Sequence, residues 1–132
     1  MQIYNHYING TSVKPNSRDY LESENPYTGQ TWAKIARGNA MDASIAVEAA
    51  KRAFEQGDWS NMRPTQRGKL LVRLAEIIEV NSARLGQLEV CDNGKLIAEM
   101  GAQTKYLAEW YRYFGGLADK VEGAVLPSDK EG

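Results

Sequence analysis

Cysteine and histidine are nearly missing from this chain, which has one of each, Cys91 and His6. A single cysteine excludes an internal disulfide, and with no signal-peptide core at the N-terminus the expected compartment is the cytoplasm. His6 has no cysteine or second histidine at ligand spacing, so it reads as a surface or strand-edge residue rather than a metal ligand or base. No apolar run approaches the ~20 residues needed to cross a bilayer, so no membrane is expected as a partner. The formal charge is -1 with both signs interspersed. That leaves no basic stripe to neutralise phosphates, and nucleic acid is not expected either.

Chemistry-bearing groups are equally sparse. Catalysis by a thiol needs a cysteine whose pKa is lowered by a helix N-terminus, a cation or a base, beside a site for an oxyanion. Cys91 stands late in an expected helix, next to Asp92 and near Glu89. This acidic setting disfavours a thiolate and suits a packed thiol. No glycine-rich turn follows a strand and opens a helix, so the dinucleotide fingerprint is missing. No cofactor is expected on these residues alone.

What remains is an ordinary globular composition, 42% hydrophobic and 25% charged over 132 residues, which fits one domain. Its texture changes once. Residues 1–36 read as β-hairpins: Asn9-Gly10 supplies the positive φ angles of a tight hairpin turn, and Asn25-Pro26-Tyr27-Thr28-Gly29 supplies a second turn. Residues 39–122 read as about four helices, and residues 123–132 as a loose tail. Asn39 with Asp42 three residues on predicts a capped start for the first helix, with Gly57 at its end and Ala46, Ala49, Ala50, Ala53 and Phe54 facing inward. Pro64 suits the first turn of the second, whose expected buried stripe is Leu70, Leu71, Leu74, Ile77 and Ile78. Ser82 would cap a short third helix carrying Leu85, Leu88 and Cys91, closed by Asn93-Gly94. A fourth would carry Leu107, Trp110, Tyr111, Phe114, Leu117 and Val121.

Five short motifs follow one another: Tyr7-Ile8-Asn9-Gly10, Asn25-Pro26-Tyr27-Thr28-Gly29, Arg67-Gly68-Lys69-Leu70-Leu71, Asp92-Asn93-Gly94-Lys95, and the run of residues 111–120 that opens Tyr111-Arg112-Tyr113-Phe114-Gly115-Gly116. In this order and spacing the chain closely resembles the N-terminal segment of the NAD(P)-dependent aldehyde dehydrogenase superfamily. The resemblance implies an α+β fragment, N-terminal β-hairpins and about four helices. In the complete protein these belong to the α/β Rossmann-like nucleotide-binding domain. It implies that the complete enzyme oxidises a small-molecule aldehyde to a carboxylic acid through a cysteine thioester, with NAD or NADP. It also implies that the partners are the rest of the dehydrogenase subunit and further copies in a homo-oligomer. The family's nucleophile, glutamate base, oxyanion asparagine and cofactor loop have no counterpart motif here, so the chain alone is expected to be inactive.

Two lesser roles transfer by position. The family's monovalent cation site, made of backbone carbonyls just before the Asn-Pro turn and the aspartate of Asp-Asn-Gly-Lys, maps onto Ser23, Glu24 and Asp92, an oxygen-rich set that suits a hard cation; alternatively, Asp92 only helps to end its helix. The family's substrate-tunnel wall maps onto Gln103, Tyr106 and Trp110, against the alternative that this aromatic stripe is core. A rival from another class is a self-sufficient helical interaction module that docks onto a dehydrogenase subunit.

Overall fold

The computed structural model of the chain describes residues 1–125. Five short strands precede four helices: β1 (Gln2–Tyr4), β2 (His6–Ile8), β3 (Thr11–Val13), β4 (Tyr20–Asn25), β5 (Gln30–Ala36), α1 (Ala40–Gln56), α2 (Asp58–Asn61), α3 (Pro64–Asn93) and α4 (Ile97–Leu117). The loose tail expected at residues 123–132 falls largely outside the described residues.

Both turns form where their residue types require them. Asn9 and Gly10 take φ +51° and +75°, closing β2 onto β3 in antiparallel register, His6 opposite Val13. Gly29 takes φ +66° and closes the β4–β5 hairpin, where Gly29 N–H donates to the Asn25 carbonyl at 2.8 Å. One pairing is not a hairpin: β1 lies parallel to β5, Gln2 opposite Ala33, giving a mixed sheet of order β1-β5-β4.

The helical half departs from expectation in three ways. First, the second and third expected helices are one, α3, 30 residues long and thus about 45 Å. Ser82 caps nothing. Asn81 Nδ2 donates to the Ile77 carbonyl one turn back, so the Asn81 side chain is satisfied inside the helix, and no break occurs before Gly94 takes a left-handed φ of +74°. The fourth expected helix is α4, which ends at Leu117, before Val121, and the single turn α2 is an additional element. Second, Gly57 does end α1, but with extended φ −79° rather than the left-handed form.

Third, the inward faces are made of small residues, with Met100 the exception. On α3 the buried residues are Gly68, Ala75 and Gly86; on α4 they are Met100, Thr104 and Ala108. Small side chains let two helix backbones approach closely. A β-carbon on Gly115 would stand 2.9 Å from the Gly68 carbonyl oxygen, and one on Gly86 would stand 3.4 Å from the Met100 carbonyl. The Thr104 hydroxyl fits this seam by donating to the Met100 carbonyl at 2.7 Å, with the Ser82 carbonyl of α3 at 3.0 Å. The expected stripe therefore lies mostly outward: Leu71 and Ile78 are half-buried, while Leu70, Leu74 and Ile77 are exposed. The aromatic stripe of α4 is outward too, with Trp110 and Phe114 each 53% exposed. Of the α1 alanine face only Ala49 is buried. The β2–β3 hairpin lies over it and leaves a hollow of about 240 Å³ lined by Tyr7, Ile8, Ala46 and Ala53.

Candidate functional site

Ser23 and Asp92, 69 residues apart in sequence, meet where β4 crosses the C-terminal end of α3. The Ser23 hydroxyl donates to Asp92 Oδ1 at 3.0 Å, and Trp32 Nε1–H donates to Ser23 Oγ at 3.1 Å. The positioning is backbone-driven: the β4–β5 register slips between Ser23 and Glu24, and such a bulge re-aims the side chains that follow. Glu24 is exposed, and no side-chain partner is found for it among the described residues. The Ser23–Asp92 contact brings the β4 backbone at Ser23 and Glu24 beside the Asp92 carboxylate. Among the described residues no three His, Cys, Asp or Glu side chains cluster closely enough to hold a metal ion. Asp92 is the penultimate residue of α3 and ties that end to the sheet.

Beside this contact lies an apolar hollow of about 380 Å³ between the sheet and the α3–α4 pair. Tyr4, Trp32, Ile35, Leu85, Leu88 and Leu107 line it, with Glu89 and Asp92 on its rim. Tyr4 and Trp32 meet edge to face, ring centres 6.0 Å apart. Sequence reasoning missed this hollow, because its walls come from four elements.

Gln103, Tyr106 and Trp110 share the face of α4 turned away from the seam of Met100, Thr104 and Ala108. All three are exposed, Tyr106 by 61%. Tyr106 and Trp110 meet edge to face at 6.1 Å, Trp110 stacks on Phe114 at 6.4 Å, and Tyr113 meets Phe114 at 5.2 Å. An aromatic ladder on the outside of a helix pair is available to form the wall of something larger. Nearby, Arg112 of α4 pairs with Glu79 of α3 and with Glu109 at 2.6 Å. Its guanidinium pKa is raised above the ordinary value, chiefly by the hydrogen bond to Glu79.

The start of α1 is the most heavily bonded polar region. Asn39 Oδ1 accepts the N–H groups of Met41 and Asp42 at 2.9 and 3.1 Å, and Asp42 Oδ2 accepts the N–H of Asn39 at 3.0 Å. This is the reciprocal capping box. Asp42 Oδ1 also accepts the N–H of Asn16 at 3.0 Å, tying the loop after β3 to the helix. The Asn39 N–H holds the Asp42 carboxyl below its ordinary pKa against the opposing effect of burial; the Asn16 N–H and His6 add to the lowering. His6 is half-buried on β2, with Nε2 3.8 Å from Asp42 Oδ2 and no hydrogen-bond partner among the described residues. The sequence placed His6 at a strand edge but gave no sign of this approach.

A dinucleotide does not fit this helix start, although α1 is the helix that follows a strand. A pyrophosphate is held by free N–H groups at a helix N-terminus. Here the Asn39 side chain occupies those of Met41 and Asp42, and an ionised carboxylate stands where the phosphate would go. Cys91 is half-buried within α3, three residues before its cap. A thiol in that position has no helix N-terminus behind it.

The aldehyde dehydrogenase family profile matches residues 12–132. The chain belongs to the aldehyde dehydrogenase family. It is 44% identical over 130 residues to the (Z)-2-((N-methylformamido)methylene)-5-hydroxybutyrolactone dehydrogenase of Acinetobacter baylyi, a match that covers 98% of this chain and 26% of that protein. Among solved structures it is similar to an NAD-dependent aldehyde dehydrogenase from Sinorhizobium meliloti, at 27% identity and TM-score 0.89, covering 93% of this chain and 25% of that one. A betaine aldehyde dehydrogenase from Staphylococcus aureus, solved with NAD+, gives 33% identity and TM-score 0.87 over 96% of this chain and 25% of that one. The chain therefore spans about a quarter of the length of each of these three proteins. Its strands-then-helices architecture is the N-terminal part of their fold. The rival reading as a self-sufficient docking module gains no support from these relatives.

Proposed function

We propose that these 132 residues form the N-terminal part of the nucleotide-binding domain in an NAD(P)-dependent aldehyde dehydrogenase subunit. The complete subunit would oxidise a small-molecule aldehyde to a carboxylic acid, work as a homo-oligomer and reside in the cytoplasm. In that reaction a thiolate attacks the aldehyde carbonyl, hydride passes to the nicotinamide, and water releases the acid. Residues other than these supply the thiolate, the base and the cofactor cradle, because Cys91 lies within a helix and the start of α1 is closed by its own cap.

The observation that carries this reading is the outward placement of the large apolar side chains. Leu70, Leu74 and Ile77 on α3 and Tyr106, Trp110 and Phe114 on α4 are exposed, while the residues buried on the two helices are Gly68, Ala75 and Gly86 with Met100, Thr104 and Ala108. At about 25 cal/mol per Å2, leaving several hundred Å2 of such surface wet forgoes on the order of 10 kcal/mol, comparable with the whole stability of a domain. These faces suit burial against the rest of a subunit. In the same reading Gln103, Tyr106 and Trp110 wall one side of the aldehyde's path, and Ser23, Glu24 and Asp92 lie at a monovalent cation.

Complementation tests this. The chain is co-expressed with the Acinetobacter dehydrogenase lacking the part it matches, and aldehyde-dependent NAD(P)H formation is followed. Activity from the pair and from neither part alone is expected. Turnover by the 132 residues alone, or failure of the two parts to associate, would overturn the proposal.

A further inference from the structure

Two Asn-Gly pairs occur in the chain, Asn9-Gly10 and Asn93-Gly94, in opposite surroundings. Glycine carries no β-carbon, so its backbone nitrogen meets little obstruction in approaching the amide carbon of a preceding asparagine. Whether that approach happens depends on what holds the two groups.

At Asn93 both groups are engaged. Nδ2 donates to Glu89 Oε2 at 2.6 Å, and Oδ1 accepts the Lys95 N–H at 2.9 Å. The Gly94 N–H, the would-be nucleophile, donates to the Val90 carbonyl at 3.0 Å. The pair closes a 30-residue helix and lies against Pro26. At Asn9 nothing is engaged. Asn9 and Gly10 are both exposed, and among the described residues neither the Asn9 side chain nor the Gly10 N–H makes a hydrogen bond. A β-carbon on Gly10 would meet nothing within 4 Å. The turn belongs to a ribbon of two three-residue strands paired only with each other. Such ribbons are marginal by themselves, and local opening gives Asn9 the rotation that brings Gly10 N onto its own side chain.

We propose that Asn9 is a site of spontaneous deamidation and that Asn93 is protected from it. Gly10 N attacks Asn9 Cγ; the N–Cγ bond forms, the Cγ–Nδ2 bond breaks, and ammonia leaves with the proton released by Gly10 N. The product is a five-membered imide. Water, the sole co-reactant, then adds to one of its two carbonyl carbons. Opening at Cγ leaves an ordinary aspartate at position 9. Opening at the Asn9 carbonyl carbon breaks its bond to Gly10 N and reroutes the backbone through Cγ as an isoaspartyl linkage. Nothing is oxidised or reduced, and either product makes the chain one charge more negative.

The two products differ in structure. An Asp-Gly pair still fits a tight hairpin turn. The isoaspartyl form adds a backbone atom to a two-residue turn and breaks the register that sets Ile8 opposite Thr11. The hairpin then lifts from α1, exposing Ala49 and the approach of His6 to Asp42. This modification does not depend on the enzymatic reading above.

The test ages the full chain at neutral and mildly alkaline pH, with and without denaturant, and follows both asparagines by peptide mass spectrometry. Isoaspartate is distinguished by electron-transfer fragmentation. In the native chain Asn9 is expected to convert about tenfold or more faster than Asn93, the ratio given by about 1.4 kcal/mol of difference in opening free energy. In denaturant the two rates should converge. Equal native rates, or an Asn9 that converts only in denaturant, would overturn the proposal.

Discussion

Gly115 and Gly116 are neighbours in α4, yet alanine at each should shift stability in opposite directions. A β-carbon on Gly115 would lie 2.9 Å from the Gly68 carbonyl oxygen, 3.1 Å from Val72 Cγ2 and 3.3 Å from Leu71 Cβ. Ordinary carbon contacts fall at about 3.5–4.0 Å, so α3 and α4 must separate by roughly half an ångström. A gap of that size forfeits about a quarter of each contact's attraction, and overpacking costs about 1–3 kcal/mol. Removing a glycine from a helix returns roughly 0.5–1 kcal/mol. The net loss for Gly115→Ala is about 1–2 kcal/mol, which for a chain of this size lowers Tm by roughly 3–10 °C. At Gly116 a β-carbon meets nothing within 4 Å, so Gly116→Ala keeps only the gain, a rise of about 1–4 °C. Thermal unfolding followed by far-UV circular dichroism on the two variants and the parent decides it. Shifts of the same sign at both positions would refute the close-seam argument.

Other consequences are as directly checked. Asn39→Ala removes the acceptor for two N–H groups of α1 and should cost about 1 kcal/mol in denaturant unfolding. Asp42 has a lowered folded pKa, held chiefly by the Asn39 N–H. Its contribution to stability is therefore complete above its ordinary value of 3.8 and is lost as pH falls through the lower folded value. Asp42→Asn should flatten that acid limb, and an unchanged limb would remove Asp42 from the account. In a complete enzyme Cys91→Ala should leave turnover nearly intact and lower stability by roughly 1 kcal/mol; loss of turnover in a folded variant would make the thiol catalytic. Calorimetric titration of the chain with NAD+ and NADP+ should show no saturable micromolar binding, because the α1 N-terminus is closed by its own cap.

What the sequence revealed was local. Asn9-Gly10, Pro26 with Gly29, Asn39 with Asp42, Pro64 and Gly94 each determine backbone geometry within a few residues, and each stands where that geometry occurs. The pairing of Gln2 with Ala33 joins strands far apart in sequence, and no periodicity reports it. Apolar spacing identified the leucine stripe of α3 as buried, but Leu70, Leu74 and Ile77 lie outward. Gly68, Ala75 and Gly86 carry little hydrophobic signal, yet they are the residues that let α4 approach. The same holds for the site: family motifs selected Ser23 and Asp92, while the Trp32 contact and the hollow beside them depend on four elements meeting.

The open sheet has a bearing on how the chain behaves in company. Among the described residues both of its outer strands have an unpaired edge, the usual template for fibrous growth. Here β1 is only three residues long. The outer strand β4 carries Glu22 and Glu24 and is interrupted by the register slip beside Ser23. Short length, charge and a bulge all discourage strand addition. Most of the exposed large apolar side chains lie on the helices instead, Leu70, Leu74, Trp110 and Phe114 among them. Association at high concentration should therefore proceed helix face to helix face, giving assemblies that bind a hydrophobic dye, leave an amyloid dye dark and keep the helical circular dichroism of the single chain.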